Sequence, residues 1–291
     1  MVKYLSATMM CMFFQLSFFI LIGGSCHIYA QGNNDSVSVK MTKNKIPILI
    51  KSDFNYAVND GSRLASAPLH FKADNWLTFG AVIGGSALAF LADNNIRDIA
   101  LRNHTHTLDN ISILGKTYGE AYAGAIISGL AYAGGLVSGN NEVRETGRML
   151  FETLVYAGII TIVSKSVIGR SRPYTDEGAS HYRGFQFKTE TTSLPSGHAT
   201  VAFAVSSVLA SRIDNLYASI GLYGLAGLTV FQRIYDDKHW VSDTIIGASI
   251  GTFVGRAIVN YGETGDKENQ TLLLYPSFTP YGGGLAMQIG L

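Results

Sequence analysis

The feature that most constrains this chain is a series of six apolar, glycine-rich runs separated by short polar breaks. Each run is long enough for an α-helix, and none shows the apolar–polar alternation of a half-buried strand. The runs cover residues 76–92, 117–138, 146–168, 197–212, 215–234 and 240–260. We therefore expect an all-α fold, a six-helix bundle within residues 75–262.

The composition does not decide whether this bundle is soluble or lies in a membrane. Charged residues make up 15% of the 291 residues, against about 25% in ordinary soluble domains. Three uncharged stretches, 75–92, 121–141 and 215–232, reach 18, 21 and 18 residues, close to the ~20 needed to span a bilayer. A compact buried bundle gives the same pattern, so the protein is either soluble or membrane-associated.

The near balance of 22 basic and 21 acidic residues argues against a nucleic-acid partner.

The first 30 residues resemble an export signal. Lys3 precedes an apolar run, Met9 to Ile22, and Ala30 is a small residue at a plausible cleavage point. An uncleaved anchor, or a lipid anchor on Cys26, are the weaker alternatives. We expect an exported protein.

Two flanking segments complete the predicted organisation. Residues 31–74 form a polar N-terminal lead-in without a strong fold signal. Residues 263–291 form a C-terminal tail in which Thr271–Tyr275 and Leu285–Leu291 are expected to pair as a short β-hairpin across a Pro-Tyr-Gly-Gly-Gly turn.

Three polar clusters carry the chemistry, and all three fall at helix ends. They run from Lys165 to Pro173, from Pro195 to His198, and from Arg233 to Asp243. Short connections favour antiparallel neighbours, so the end of the third helix, the start of the fourth and the junction of the fifth and sixth should meet at one end of the bundle.

These clusters predict an anion site. Ser196 is a suitable N-cap, and the N–H groups after it face outward at a partly positive helix end. Gly197 has no side chain to block an approaching oxygen. Lys165, Arg172 and Arg233 bring three cations, which suits a phosphate-like dianion.

Two histidines add reactive groups to this site. His239 and Asp243 are four residues apart on one helix face, so the carboxylate fixes one imidazole nitrogen and leaves the other free to attack. His198 would be the general acid for the leaving oxygen. The sequence contains no carboxylate cluster with divalent-metal spacing, so we expect no metal site. Alone, each cluster is more often a basic helix end, a turn or a structural His–Asp pair, and a non-catalytic phosphate-binding helical bundle is one alternative.

Taken together, the three clusters resemble the signature of the type 2 phosphatidic acid phosphatase superfamily, which includes bacterial acid phosphatases and vanadium haloperoxidases. That signature is Lys-x6-Arg-Pro, Pro-Ser-Gly-His and Ser-Arg-x5-His-x3-Asp, and the chain departs from it at Gln232, where the family usually has serine. The resemblance implies the six-helix acid phosphatase/haloperoxidase fold, a metal-independent phosphatase and no cofactor, with vanadate as an inhibitor of the pocket. A vanadium-dependent haloperoxidase is the other alternative.

The resemblance also implies a role for each site residue. Lys165, Arg172, Arg233, Ser196 and Gly197 bind the phosphate. The catalytic residues are His239, which forms a phosphohistidine, Asp243, which orients it, and His198, which protonates the leaving alcohol. The implied partners are a phosphorylated lipid or small phosphomonoester and a membrane surface, with the site facing the periplasm.

The sequence also gives expectations for one loop and for the last helix. The segment Tyr174–Leu194 should form the rim of the pocket, where His181, Arg183 and Lys188 either touch a head group or are solvated loop charges. Glycines at spacing four in the last helix predict close helix packing.

Overall fold

The computed structural model describes the backbone of residues 46–268, 272–279 and 282–289, and the side chains of residues 46–263. The expected export signal lies outside these residues. Within them the chain folds into eight α-helices. They are α1 (Ile46–Ser66), α2 (Ala73–Arg102), α3 (His106–Tyr118), α4 (Ala121–Ser138), α5 (Asn141–Ile168), α6 (Gly197–Ile213), α7 (Leu216–Tyr235) and α8 (Val241–Glu268). Short 3₁₀ turns cover Ala67–His70, Pro173–Thr175 and Thr189–Thr191.

The expectation of six helices was wrong, because the described residues form eight. The two additional helices are α1, within the segment interpreted as a polar lead-in, and α3. Neither forms a continuous apolar run, since the buried positions of α1 are Asp53 and Asp60 and those of α3 are Ser112 and Gly115. A search for long apolar runs therefore misses both.

Ion pairs and hydrogen bonds attach α1 to the bundle. The Tyr132 hydroxyl on α4 donates to Asp53 Oδ2 over 2.8 Å, and Arg144 Nε on α5 lies 3.5 Å from the same oxygen. Arg148 Nη1 lies 3.6 Å from Asp60 Oδ2. The polar residues of α1 thus serve as its packing surface.

The apolar core lies among α5, α6 and α8, with Leu150, Val205 and Ile258 fully buried. The glycines of α8 allow this close approach. A Cβ on Gly247 would lie 2.4 Å from the carbonyl oxygen of Ser196, and one on Gly251 would lie 2.3 Å from that of Thr200. The predicted close packing is confirmed, and it fixes α8 against the start of α6.

Three of the described helices, α2, α4 and α5, are long and apolar enough to cross a membrane. Most of their surface is not buried by the protein, and exposed apolar side chains such as Leu91, Ile126 and Ile162 line it. The third uncharged stretch, 215–232, is not among these candidates. Apart from Lys165 in its last turn, the charged residues of α5 lie in its first half, so residues 153–164 are uncharged.

The C-terminal segment contains two strands. The strands β1 (Leu272–Thr279) and β2 (Gly282–Ile289) pair antiparallel, with Leu272 opposite Ile289 and Thr279 opposite Gly282. Both strands occupy different bounds from the predicted Thr271–Tyr275 and Leu285–Leu291. Their side chains lie outside the described residues.

Candidate active site

The three polar clusters meet at one end of the bundle. Lys165 lies in the last turn of α5, Ser196 caps the start of α6, and Arg233 lies in the last turn of α7. The backbone N–H of Ser196 donates to the carbonyl oxygen of Asp243 on α8 over 2.9 Å. The second and third clusters are therefore joined directly.

The connection between α5 and α6 joins the first cluster to the second. The Lys165 ammonium donates to the carbonyl oxygens of Thr192 and Ser193, over 2.8 and 3.3 Å. The N–H of Arg172 donates to the carbonyl oxygen of Glu190 over 2.9 Å. These contacts hold both cations beside the start of α6, although Lys165 and Arg172 precede His198 by 33 and 26 positions in the sequence.

Two of the three cations have unused donors. Within the described part of the chain, the buried Nε atoms of Arg172 and Arg233 have no hydrogen-bond partner. Burial lowers the pKa of both guanidinium groups, which shows how far the site removes them from water. A buried N–H without an acceptor costs free energy, so these donors indicate a site for an anionic ligand.

The turn at Ser196 and Gly197 has the expected form. Ser196 adopts an extended backbone at the N-cap, and its hydroxyl lies 3.5 Å from the N–H of Ala199. A Cβ on Gly197 would lie 3.7 Å from Cε of Lys165. It would therefore be in van der Waals contact with the Lys165 side chain at the N-terminus of α6.

The imidazole of His239 is buried beside Asp243. Its Nδ1 lies 3.6 Å from Asp243 Oδ2 and 3.4 Å from the hydroxyl of Ser193. Burial, with the positive charges of Lys165 and Arg172 and more weakly of Arg233, lowers the pKa of His239 well below its ordinary value. The ring is therefore neutral, and Nε2 is the nitrogen that does not face the carboxylate.

The imidazole of His198 lies at the same end, in the first turn of α6. Its buried Nε2 has no hydrogen bond among the described residues, and it lies 3.4 Å from Glu120 Oε1. Burial and the positive charge of Arg233 lower the pKa of His198 to about 4, while Glu120 opposes this shift. A bound dianion would raise this pKa, because it favours the protonated ring.

The carboxylate of Asp243 is held by a buried network that the sequence interpretation did not assign. Arg170 Nη1 donates to Asp243 Oδ1 over 2.5 Å, and the hydroxyl of Ser193 donates to Oδ2 over 2.5 Å. Arg170 Nη2 also donates to Asp93 of α2 over 2.7 Å, and Asp93 accepts from the N–H and hydroxyl of Ser242. Arg170 lies inside the first cluster, so the sequence already places it near the site, whereas nothing in the sequence places Asp93 there.

Of the three loop residues expected either to touch a head group or to be solvated loop charges, His181 and Arg183 make contacts within the loop. His181 Nδ1 lies 2.9 Å from Glu177 Oε2, and Arg183 forms an ion pair with the same carboxylate. The side chain of Lys188 is exposed. The departure at Gln232 also has a local role, because its buried amide donates to Asp236 and closes the end of α7.

An apolar cavity of about 270 Å³ opens beside the cations. Lys165, Gly197 and His198 line it at the polar end, and Leu154, Ile162, Val201 and neighbouring residues of α5 and α6 line the remainder. The apolar cavity therefore reaches Lys165, Gly197 and His198 of the candidate site.

Comparisons with known proteins agree with this geometry. Residues 147–265 match the model of the PAP2 superfamily. A lipid A 1-phosphatase of Porphyromonas gingivalis is 30% identical over 183 residues, which cover 60% of this chain and 36% of that protein. A lipid A 1-phosphatase of Rhizobium etli is 31% identical over 110 residues, 36% of this chain and 45% of that protein. The chain thus spans less than half the length of these curated relatives.

Two crystal structures align with parts of this chain. The LpxE structure of Aquifex aeolicus is 20% identical and has a TM-score of 0.44, covering 58% of this chain and 95% of that one. The transmembrane PAP2-type phosphatidylglycerolphosphate phosphatase of Bacillus subtilis is 19% identical and has a TM-score of 0.49, covering 73% and 95%. The segment that matches the PAP2 superfamily model, residues 147–265, contains all three clusters, so the part of the chain that carries the candidate site is similar to that superfamily.

Proposed function

We propose that this protein is a metal-independent phosphatase that removes phosphate from a lipid through a phosphohistidine intermediate. The observation that carries the proposal is the buried, neutral imidazole of His239 beside Asp243, at the same end of the bundle as Arg172 and Arg233, whose Nε atoms have no hydrogen-bond partner among the described residues. A nucleophile and a group of cations that can bind a dianion in one place suit phosphoryl transfer.

The first step transfers the phosphoryl group to the enzyme. The phosphate oxygens bind to Lys165, Arg172 and Arg233. Nε2 of His239 attacks phosphorus in line, a P–N bond forms, the P–O bond to the alcohol breaks, and His198 gives its proton to the leaving oxygen. The buried network around Asp243 keeps the imidazole of His239 in its orientation. The 3.6 Å distance between Asp243 and Nδ1 can shorten once substrate is bound.

The second step restores the enzyme. The neutral His198 takes a proton from water, the resulting hydroxide attacks phosphorus, and the P–N bond breaks to release inorganic phosphate. The three cations neutralise the charge on the equatorial oxygens in both steps, a role that metal ions fill in other phosphoryl transferases.

A lipid substrate is supported by the apolar surroundings of the site. The cavity beside Lys165 and His198 is lined mainly by apolar side chains, and α4 and α5, which border it, are apolar enough to lie in a bilayer. The named activity of the relatives, lipid A 1-phosphatase, makes the phosphate of a glycolipid the first substrate to test.

We further propose that the protein is exported and acts on the periplasmic side of a membrane. The support is the basic and apolar pattern of residues 1–30. N-terminal sequencing of the mature protein is expected to begin at Gln31, and labelling of an added surface cysteine from outside intact cells tests the orientation.

The function is tested by phosphate release from lipid A, phosphatidic acid, phosphatidylglycerol phosphate, undecaprenyl diphosphate and p-nitrophenyl phosphate. The wild type should release phosphate from at least one lipid faster than from p-nitrophenyl phosphate, and His239→Ala should lose nearly all turnover. His106→Ala, at an exposed histidine at the start of α3, is the matched control and should retain activity. Turnover by His239→Ala at the control rate would refute the nucleophile, and a wild type inactive on every substrate would refute the function.

A further inference from the structure

A carboxylate outside the three clusters contacts the general acid. Glu120 is the N-cap residue of α4, and its Oε1 lies 3.4 Å from Nε2 of His198. Its backbone is held at both sides, because its N–H donates to Thr117 and its carbonyl oxygen accepts from Ala123 and Gly124. Within the described part of the chain no side-chain cap hydrogen bond occupies its carboxylate, which is therefore available to the imidazole.

Close packing fixes the corner that carries Glu120. A Cβ on Gly115 would lie 2.2 Å from the carbonyl oxygen of Leu228 on α7, and the hydroxyl of Thr229 donates to the Gly115 carbonyl oxygen over 2.7 Å. A Cβ on Gly119 would lie 2.4 Å from Thr229 Cγ2 and 3.1 Å from Cβ of His198. The α3–α4 corner thus packs against both α7 and His198, and only residues without a side chain fit there.

The charged groups around His198 differ in their effect on its protonated form. Arg233 of α7 and Arg172 of the loop after α5 both disfavour the protonated ring, as does burial, whereas Glu120 favours it. His239, the facing group from the α7–α8 loop, is itself neutral. Among the described residues, Glu120 is the carboxylate within 4.0 Å of His198.

We propose that Glu120 is a positioning residue that orients the imidazole of His198 and stabilises its protonated form for proton transfer to the leaving oxygen. This inference rests on the proposed phosphatase function. It explains why the α3–α4 corner is packed so closely on the second cluster, a contact that phosphate binding alone does not require.

The test is Glu120→Gln, which keeps the shape of the side chain and removes its charge. The alkaline limb of kcat should move down by about one pH unit, and kcat at pH 7 for an alkyl phosphate should fall about tenfold, because less His198 is protonated. Turnover of p-nitrophenyl phosphate should change little, since this leaving group needs no proton. Glu142→Gln, at an exposed carboxylate in the first turn of α5, is the matched control and should leave both substrates unaffected.

A double mutant separates this role from a structural one. In a His198→Ala background, Glu120→Gln should cause no further loss, because the two residues act as one unit. Glu120→Asp should give a smaller change of the same selectivity, and it carries the test if Glu120→Gln does not fold. An unchanged pH profile with equal losses on both substrates overturns the positioning role while leaving the phosphatase intact. A wild type without phosphatase activity overturns both.

Discussion

The buried network behind Asp243 gives the sharpest test of how this site is held together. Asp93 on α2 is 1% exposed. Its Oδ1 accepts from the N–H of Ser242 over 3.0 Å, and its Oδ2 accepts from Arg170 Nη2 over 2.7 Å and from the Ser242 hydroxyl over 2.6 Å. In Asp93→Asn, the oxygen can keep the first contact, but the amide nitrogen then faces another N–H donor of Arg170. The substitution therefore removes one charge of a buried pair and places two donors together.

The expected cost follows from this geometry. Removing one partner of a buried ion pair costs about 3–5 kcal/mol. For a domain of this size each kcal/mol lowers Tm by about 2–4 °C, so Asp93→Asn should lower Tm by about 6–20 °C. The Arg170 guanidinium then holds Asp243 less firmly, so the imidazole of His239 is less well oriented. We therefore expect kcat to fall between about 10-fold and 100-fold. KM should change much less, since the phosphate-binding cations are untouched.

The assay is thermal unfolding in detergent together with phosphate release. Asp98→Asn is the matched control, because it makes the same substitution at an exposed position of α2 and should change stability by less than about 0.5 kcal/mol. If Asp93→Asn matches this control in both Tm and kcat, the network does not hold the catalytic pair and the reasoning is wrong.

The remaining predictions concern protonation, packing and the chemistry of the anion site. Because burial and Arg233 lower the pKa of His198 to about 4 in the free enzyme and a bound dianion raises it, pH profiles should show the alkaline limb of kcat/KM at lower pH than that of kcat; coincident limbs would contradict this assignment. His198→Ala should slow poor leaving groups by roughly 10²–10⁴-fold and allow a phosphohistidine to be trapped with radiolabelled substrate, whereas absence of label from His239 speaks against the intermediate. Gly247→Ala should lower Tm and activity together, since the new Cβ would meet the Ser196 carbonyl oxygen at 2.4 Å, while Gly221→Ala, with open space at that position, should be tolerated. EDTA should leave turnover unchanged and vanadate should inhibit it, and bromide oxidation by vanadate-loaded protein would favour the haloperoxidase alternative.

The sequence was sufficient for those parts of the site that depend on helix ends. Lys165 and Arg233 lie in last turns and Ser196 at an N-cap, and these positions can be inferred from where apolar runs stop and proline or serine begins. Antiparallel connection then brings them together without further information.

Other parts depend on contacts that no local pattern predicts. Helix α1 is attached through buried carboxylates at Asp53 and Asp60, which a search for apolar faces assigns to solvent. Asp93 and Glu120 lie in or beside apolar runs, and only the packing of α2 and of the α3–α4 corner brings them to Arg170 and His198. Their contacts are therefore visible in the structure and not in the spacing of the motifs.

The dependence of the Asp243 network on α2 bears on how much of the chain is needed for a working enzyme. The segment that matches the family model begins at residue 147, whereas Asp93 and Glu120 precede it. A fragment cut at that boundary keeps every motif residue, yet it loses the acceptor opposite Arg170 and the carboxylate beside His198. We therefore expect the smallest active fragment to be larger than the segment matched by the family model, so truncation for crystallisation or engineering should start before Ala73.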